Sequence, residues 1–213
     1  MFVKHILATT GDLPPATPCL YEYIFGANGI FVRATRPELD AMIWVASTAT
    51  PVRGLADVQP GIEVHPAPVP GALVARMFEM AYRAGNKEIL FYLSVVNNAW
   101  RLTVPEQAQG AGFVRPLDLF SGGPGTVIEV HSHHGLRAFF SSTDNAEEQT
   151  GFRVYAVIGD LYHRPEIRVR VGIYGHFWEI PASWVFDLPG GLRDAVYTEL
   201  DECLEMDYAA ENN

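Results

Sequence analysis

The chain has 213 residues, room for one ordinary domain or a domain with a smaller extension. Hydrophobic residues make up 48% of it and charged residues 19%, which allows a sizeable core and excludes wholesale disorder. The formal net charge of −10 disfavours non-specific binding to phosphate backbones and leaves a protein substrate open. The two cysteines, Cys19 and Cys203, lie far apart and outside any CxxC pair, so a disulfide scaffold is not indicated and a reducing cytoplasm suits them. Pro14, Pro15 and Pro18 interrupt the N-terminus, which lacks the basic and apolar regions of a signal peptide. No apolar run approaches a bilayer span. The expectation is a soluble cytoplasmic protein.

Short apolar segments at Leu20–Phe25, Gly29–Arg33 and Met42–Val45, separated by Gly and Pro, predict a small β-rich region over residues 1–65. A proline at every second position in Pro66–Pro70 forbids helix and predicts an extended connector. Leu73, Met77, Met80 and Ala84 recur at helical spacing with Gly85 as a C-cap, which predicts an amphipathic helix over 71–84. Glu88–Val96 is rich in β-branched and aromatic residues and reads as a strand. Asn97-Asn98 is a turn, and Ala99–Val104 is the returning strand. Residues 105–125, rich in Gly and Pro, read as a long surface loop. A strand follows at Thr126–His131, then a short helix from about Ser142 to Gln149. Strands are expected at Phe152–Ile158, Ile167–Tyr174 and His176–Ile180, and an acidic tail over 191–213. Trp178, Trp184 and Phe177 read as core, and His163 and His176 as surface or structural residues.

The informative stretch runs from His131 to Asp144. Two histidines at i and i+2 on a strand, His131 and His133, point to one face and can share an ion. Asp144, on the following helix, can add a carboxylate oxygen. Three protein ligands with one open position are the usual catalytic zinc arrangement, although His and carboxylate also accept other divalent metals. A general base is then needed. Glu88, 43 residues ahead of His131, starts a strand that can lie beside the histidine strand. Its rival is Glu129, two residues before His131 on the same face, which can instead support a ligand from behind. Glu106 lies in a loop and is the poorer candidate. Ser141 is placed to donate to a developing oxyanion. Neither cysteine has a partner for nucleophilic chemistry.

The pattern His-x-His-x7-Ser-x2-Asp, filled by His131, His133, Ser141 and Asp144 with Glu88 upstream, resembles the JAMM (MPN-plus) motif. Residues 71–190 resemble the prokaryotic JAB branch of that family. The whole chain resembles a family carried by PRTRC plasmid and integrated-element cassettes, which also encode ParB-related and ThiF-related proteins. The resemblance implies an α+β fold, a curved mixed β-sheet flanked by helices with one Zn²⁺ at the end of the histidine strand. It implies hydrolysis of a peptide or isopeptide bond, with the C-terminal tail of a ubiquitin-like protein among the substrates the family suggests. One position departs from the pattern: the family usually has proline after the second histidine, and this chain has His134. The alternative reading is a non-catalytic MPN-type protein-binding module with a structural metal.

Overall fold

The computed structural model describes residues 2–196. The expected acidic tail lies, from residue 197 on, outside the described residues, as does Cys203. The chain divides into two compact units. The first comprises Met1–Pro66, Ser142–Arg153 and Val171–Trp178; the second comprises Ala67–Ser141, Val154–Arg170 and the chain from Glu179 on.

In the first unit, β1 (Val3–Leu7), β2 (Tyr21–Phe25), β3 (Gly29–Arg36), β4 (Leu39–Ser47) and β5 (Gly61–Val64) form a sheet in that order. β1 runs parallel to β2 and the other pairs are antiparallel. Alternation explains the sheet: Ile24, Phe31, Leu39, Ala41 and Ile43 are buried, with partly exposed residues between them. Ala8, Ile24, Phe31 and Val58 make its core cluster, with Ile6, Leu13 and Met42 packed against it. Within the same unit Tyr21 stacks on Tyr174 at 5.6 Å, and the Tyr23 hydroxyl is 3.0 Å from His176 Nε2. Burial holds the His176 imidazole below its ordinary pKa.

The second unit begins with α1 (Gly71–Arg83), and the expected helix is present. Its buried stripe is Val74, Met77 and Ala81: Met77 is as predicted, Leu73 and Met80 are each one residue early, and Ala84 is the C-cap just past the helix. Gly85 follows at φ +67, the left-handed conformation of a helix-terminating glycine. β6 (Leu90–Val96) and β7 (Ala99–Thr103) form a hairpin around Asn97 and Asn98, whose φ values of +50 and +62 are those of a type I′ turn. The stretch expected to be one loop contains a small hairpin, β8 (Gln107–Gln109) with β9 (Val114–Pro116). β10 (Thr126–Ser132) follows.

α2 (Ser142–Glu147) runs into a short 3-10 turn, and then come β11 (Phe152–Gly159), β12 (Glu166–Ile173), β13 (His176–Ile180) and β14 (Arg193–Asp194). The main sheet has the order β13-β12-β11-β10-β6-β7, with β14 beside β12. It is mixed, since β10 is parallel to β11 and antiparallel to β6, and the fold is α+β as expected. Trp184, read as core, is 44% exposed because it sits in a one-turn 3-10 segment that buries Ala182 instead. Among the described residues no helix is long and apolar enough to cross a membrane.

One buried ion pair stabilises the first unit. Glu22, 1% exposed, accepts from Thr17 Oγ1 at 2.5 Å and from Arg33 Nε at 2.8 Å. Burial by itself raises the carboxyl pKa, but the hydrogen bonds from Thr17 and Arg33 and the charge of Arg33 outweigh it and hold the group below its ordinary value. A carboxyl depressed in the folded state stabilises fully above its unfolded pKa, and that contribution is lost as pH falls through the folded value. Arg33→Ala should therefore cost about 3–5 kcal/mol at neutral pH, because Glu22 stays buried without its partner. The variant's stability should also fall less steeply on acidification, which urea denaturation across the acid range measures.

Candidate metal centre

β10 positions the two histidines. It is an inner strand, paired with β6 in the register Leu90↔His131 and with β11 in the register His131↔Val157. The pairing continues past the strand end: Ser132 N donates to Ile89 O at 3.1 Å, and His133 N to Ile158 O at 2.8 Å. Held from both sides, the backbone stays extended, and the residues at i and i+2 share a face. The consequence is direct: His131 Nε2 and His133 Nε2 lie 3.1 Å apart, and both residues are buried.

The tautomer of His133 follows from its second nitrogen. Nδ1 lies 3.3 Å from the Arg137 carbonyl oxygen, which only accepts, so Nδ1 carries the proton. Nε2 of the neutral ring then presents a lone pair toward His131. Two nitrogens bound at about 2.0–2.1 Å to a tetrahedral ion stand roughly 3.3 Å apart, close to the spacing found. An imidazole whose other N–H donates to a carbonyl is the usual form of a histidine metal ligand. Phe139 covers one side of the site, its ring 4.6 Å from that of His133. His131, His133 and Asp144 form one of two groups among the described residues with three side chains able to hold a metal ion. The other is Asp40, Glu63 and His65.

Glu88 lies two residues before β6 rather than on it, and it is buried. Continuing the β6–β10 register places it across from His133, on the histidine face. β7 pairs with β6 only from Tyr92 onward, so the backbone at 88–90 has no strand on that side. The β8–β9 hairpin takes its place. Glu88 N donates to Gly110 O at 2.9 Å, Gln109 Nε2 donates to Glu88 O at 2.7 Å, and Leu90 N donates to Gln107 Oε1 at 2.7 Å. Ser132 Oγ, fully buried, accepts from Ile89 N at 3.1 Å and fixes the same segment from the β10 side. Glu129 is half-buried and pairs with Tyr92, further down the strand. Ser141 is half-buried at the residue before α2, and Asp144 lies in the first turn of that helix.

His134 does not offer itself as a ligand. Its Nε2–H donates to Ala111 O at 2.8 Å, and its Nδ1 accepts from Gly135 N at 2.7 Å, so both nitrogens are engaged. Its φ is +33, a conformation closed to proline. The residue that breaks the sequence pattern thus belongs to a different turn out of β10, one tied to the hairpin beside Glu88.

Sequence reasoning overlooked the side chains that hold the chain between His133 and Ser141. Glu166, Arg168 and Arg170 alternate on one face of β12. Glu166 Oε1 accepts from Ala138 N at 2.9 Å, Arg168 Nε donates to Ala138 O at 3.0 Å, and the Arg170 guanidinium lies 3.9 Å from the centroid of Phe140. The available signal was three charged residues, Glu166, Arg168 and Arg170, at period two in a strand whose other residues are Ile, Val and one Gly.

The family model described as prokaryotic homologs of the JAB domain matches residues 71–172. No curated protein matches the chain.

The turn at His134 yields a direct test. His134→Pro forces φ away from +33 and removes the bond to Ala111, and should destabilise by more than about 1 kcal/mol. His134→Asn, which tolerates positive φ, should cost less. Chemical denaturation of the two variants gives the order, and an unaffected proline variant would contradict the turn described.

Proposed function

Residues 71–172 are a prokaryotic JAB domain, and from that premise we propose that the protein is a zinc-dependent metallopeptidase or isopeptidase. The observation that carries the reading is the pair of Nε2 atoms 3.1 Å apart, with the far nitrogen of His133 donating to the Arg137 carbonyl. Donors of this type suit Zn²⁺. His131, His133 and Asp144 would hold the ion, which supplies Lewis acidity toward a water and an amide carbonyl.

Glu88 is the proton carrier in this reading. Its place across from His133 and its burial favour a carboxylate that takes a proton from the attacking water and returns it to the departing amine. Glu129 stands on the same strand face but is less buried and further from the strand end, which favours a supporting role. Ser141 donates to the oxyanion that forms on the carbonyl. The substrate is a peptide or isopeptide bond in a protein partner, and the C-terminal tail of a ubiquitin-like protein is the first class to test, with the cytoplasm as the expected location.

Protein purified without chelator should contain one zinc per chain. His131→Ala and Asp144→Ala should each lose most of it, because an incomplete ligand shell binds weakly. Full occupancy in both variants would remove the ligand assignment.

Glu88→Gln keeps the shape of the side chain and removes the proton acceptor. It should retain zinc and lose about 10²- to 10⁴-fold in turnover of a ubiquitin-like fusion with a C-terminal reporter. Glu129→Gln should lose less, and the reverse order would exchange the two roles. Stoichiometric zinc in a wild-type protein that turns over no such substrate would favour the non-catalytic binding module.

A further inference from the structure

We propose that Glu166 is a positioning residue for His133, acting through the single peptide group that joins Arg137 to Ala138. Both ends of that peptide are engaged. Its N–H, at Ala138, donates to Glu166 Oε1 at 2.9 Å, and its carbonyl, at Arg137, accepts from His133 Nδ1 at 3.3 Å. A hydrogen bond at one end of an amide polarises the other, and a charged acceptor does so more than a neutral one. The Glu166 carboxylate therefore makes the Arg137 oxygen a better acceptor for His133. It fixes the ring orientation and tautomer, and enriches the electron pair on Nε2 that faces His131.

The surroundings show that this peptide is held in place rather than merely touched. Glu166 has no exposed surface, and Arg137 Nε and Arg193 Nη2 each donate to its carboxylate at 3.3 Å. Gly159, at the end of β11, also packs against this peptide. A Cβ there would stand 2.3 Å from Ala138 N and 2.5 Å from the Arg137 carbonyl carbon, so only glycine allows so close an approach. Arg168 anchors the next carbonyl, Ala138 O, at 3.0 Å. Glu166 and Gly159 act on the Arg137–Ala138 peptide plane and Arg168 on the one that follows it, and the first of these planes carries the carbonyl that meets the His133 ring. Partners behind a histidine ligand commonly change metal affinity by about 10- to 100-fold.

The role of His133 as a metal ligand belongs to the proposed function above, whereas its hydrogen bond to Arg137 does not depend on that reading, and the experiment separates the two. Zinc affinity is measured by competition with a chromophoric chelator for the full chain, Glu166→Gln and Gly159→Ala. Glu166→Gln keeps an acceptor oxygen and removes the charge, and should weaken zinc binding about tenfold. Gly159→Ala moves the peptide itself and should weaken it up to about a hundredfold. Val169→Ala, a core truncation on the opposite face of β12, should lower the melting temperature and leave zinc affinity unchanged. A readout without metal accompanies these: the His133 Nδ1 proton resonance of the zinc-free protein, observed by imidazole ¹⁵N–¹H correlation. It should move upfield or exchange away in Glu166→Gln and Gly159→Ala, and persist in Val169→Ala. Wild-type zinc affinity and an unmoved Nδ1 resonance in both variants would overturn the proposal. If the wild-type chain itself takes up no zinc, the metal reading fails and the resonance alone decides the role of Glu166.

Discussion

Everything at the site depends on keeping one strand extended to its last residue. Two imidazoles at i and i+2 converge on a point only while the backbone between them stays pleated, and a strand at the edge of a sheet twists and frays at its end. β10 avoids this by lying between β6 and β11, with hydrogen bonds on both sides as far as Ser132 and His133. The mixed topology follows from that need. The antiparallel neighbour brings the chain before β6 alongside the histidines, and the parallel neighbour ends in Gly159, leaving room for the loop that leaves His133.

Side chains then complete what strand pairing leaves open. At Glu88, just before β6, and at Leu90, its first residue, the backbone is not paired with β7 on the side away from β10. Unmet N–H and C=O groups in a buried segment are costly, and Gln107 and Gln109 meet them with amide groups that copy a strand's donors and acceptors. The His134 ring ties the adjacent turn at Ala111 back to the end of β10. Glu88 is thus held by main-chain geometry from both directions. The proton-carrying role proposed for Glu88 requires a backbone fixed in this way.

Much of this could be read from the sequence because it is local. The short apolar segments of residues 20–45 set off by Gly and Pro, the Asn97-Asn98 turn and the spacing from His131 to Asp144 each report on a few neighbouring residues, and local sterics set their outcome. What escaped reading is tertiary. Three-residue strands such as Gln107–Gln109 carry no apolar pattern, and they exist because their side chains have a backbone edge to fill. The stripe of α1 was misplaced by one residue, since which of two adjacent apolar columns is buried depends on what the helix packs against. His134 looked like a lost proline. Its positive φ, its bond from Gly135 N and its bond to Ala111 O, in a turn 23 residues earlier in the chain, decide otherwise.

Glu166 belongs to the same tertiary class, and its chemistry says why it is a glutamate. A buried carboxylate among arginines is a poor source of stability, because desolvation takes back most of what the ion pairs contribute, and a leucine of similar volume would hold the sheet at least as well. Its partners Arg137 and Arg193 both keep part of their side chains in water. The Ala138 N–H does need it: that group is buried, points at β12, and has no strand to pair with. An apolar residue at 166 would leave it unmet and let the Arg137–Ala138 peptide turn. The one carbonyl that fixes the tautomer of His133 would turn with it. The geometry of the histidine pair and the identity of a residue on another strand are therefore a single constraint, written at two places 33 residues apart.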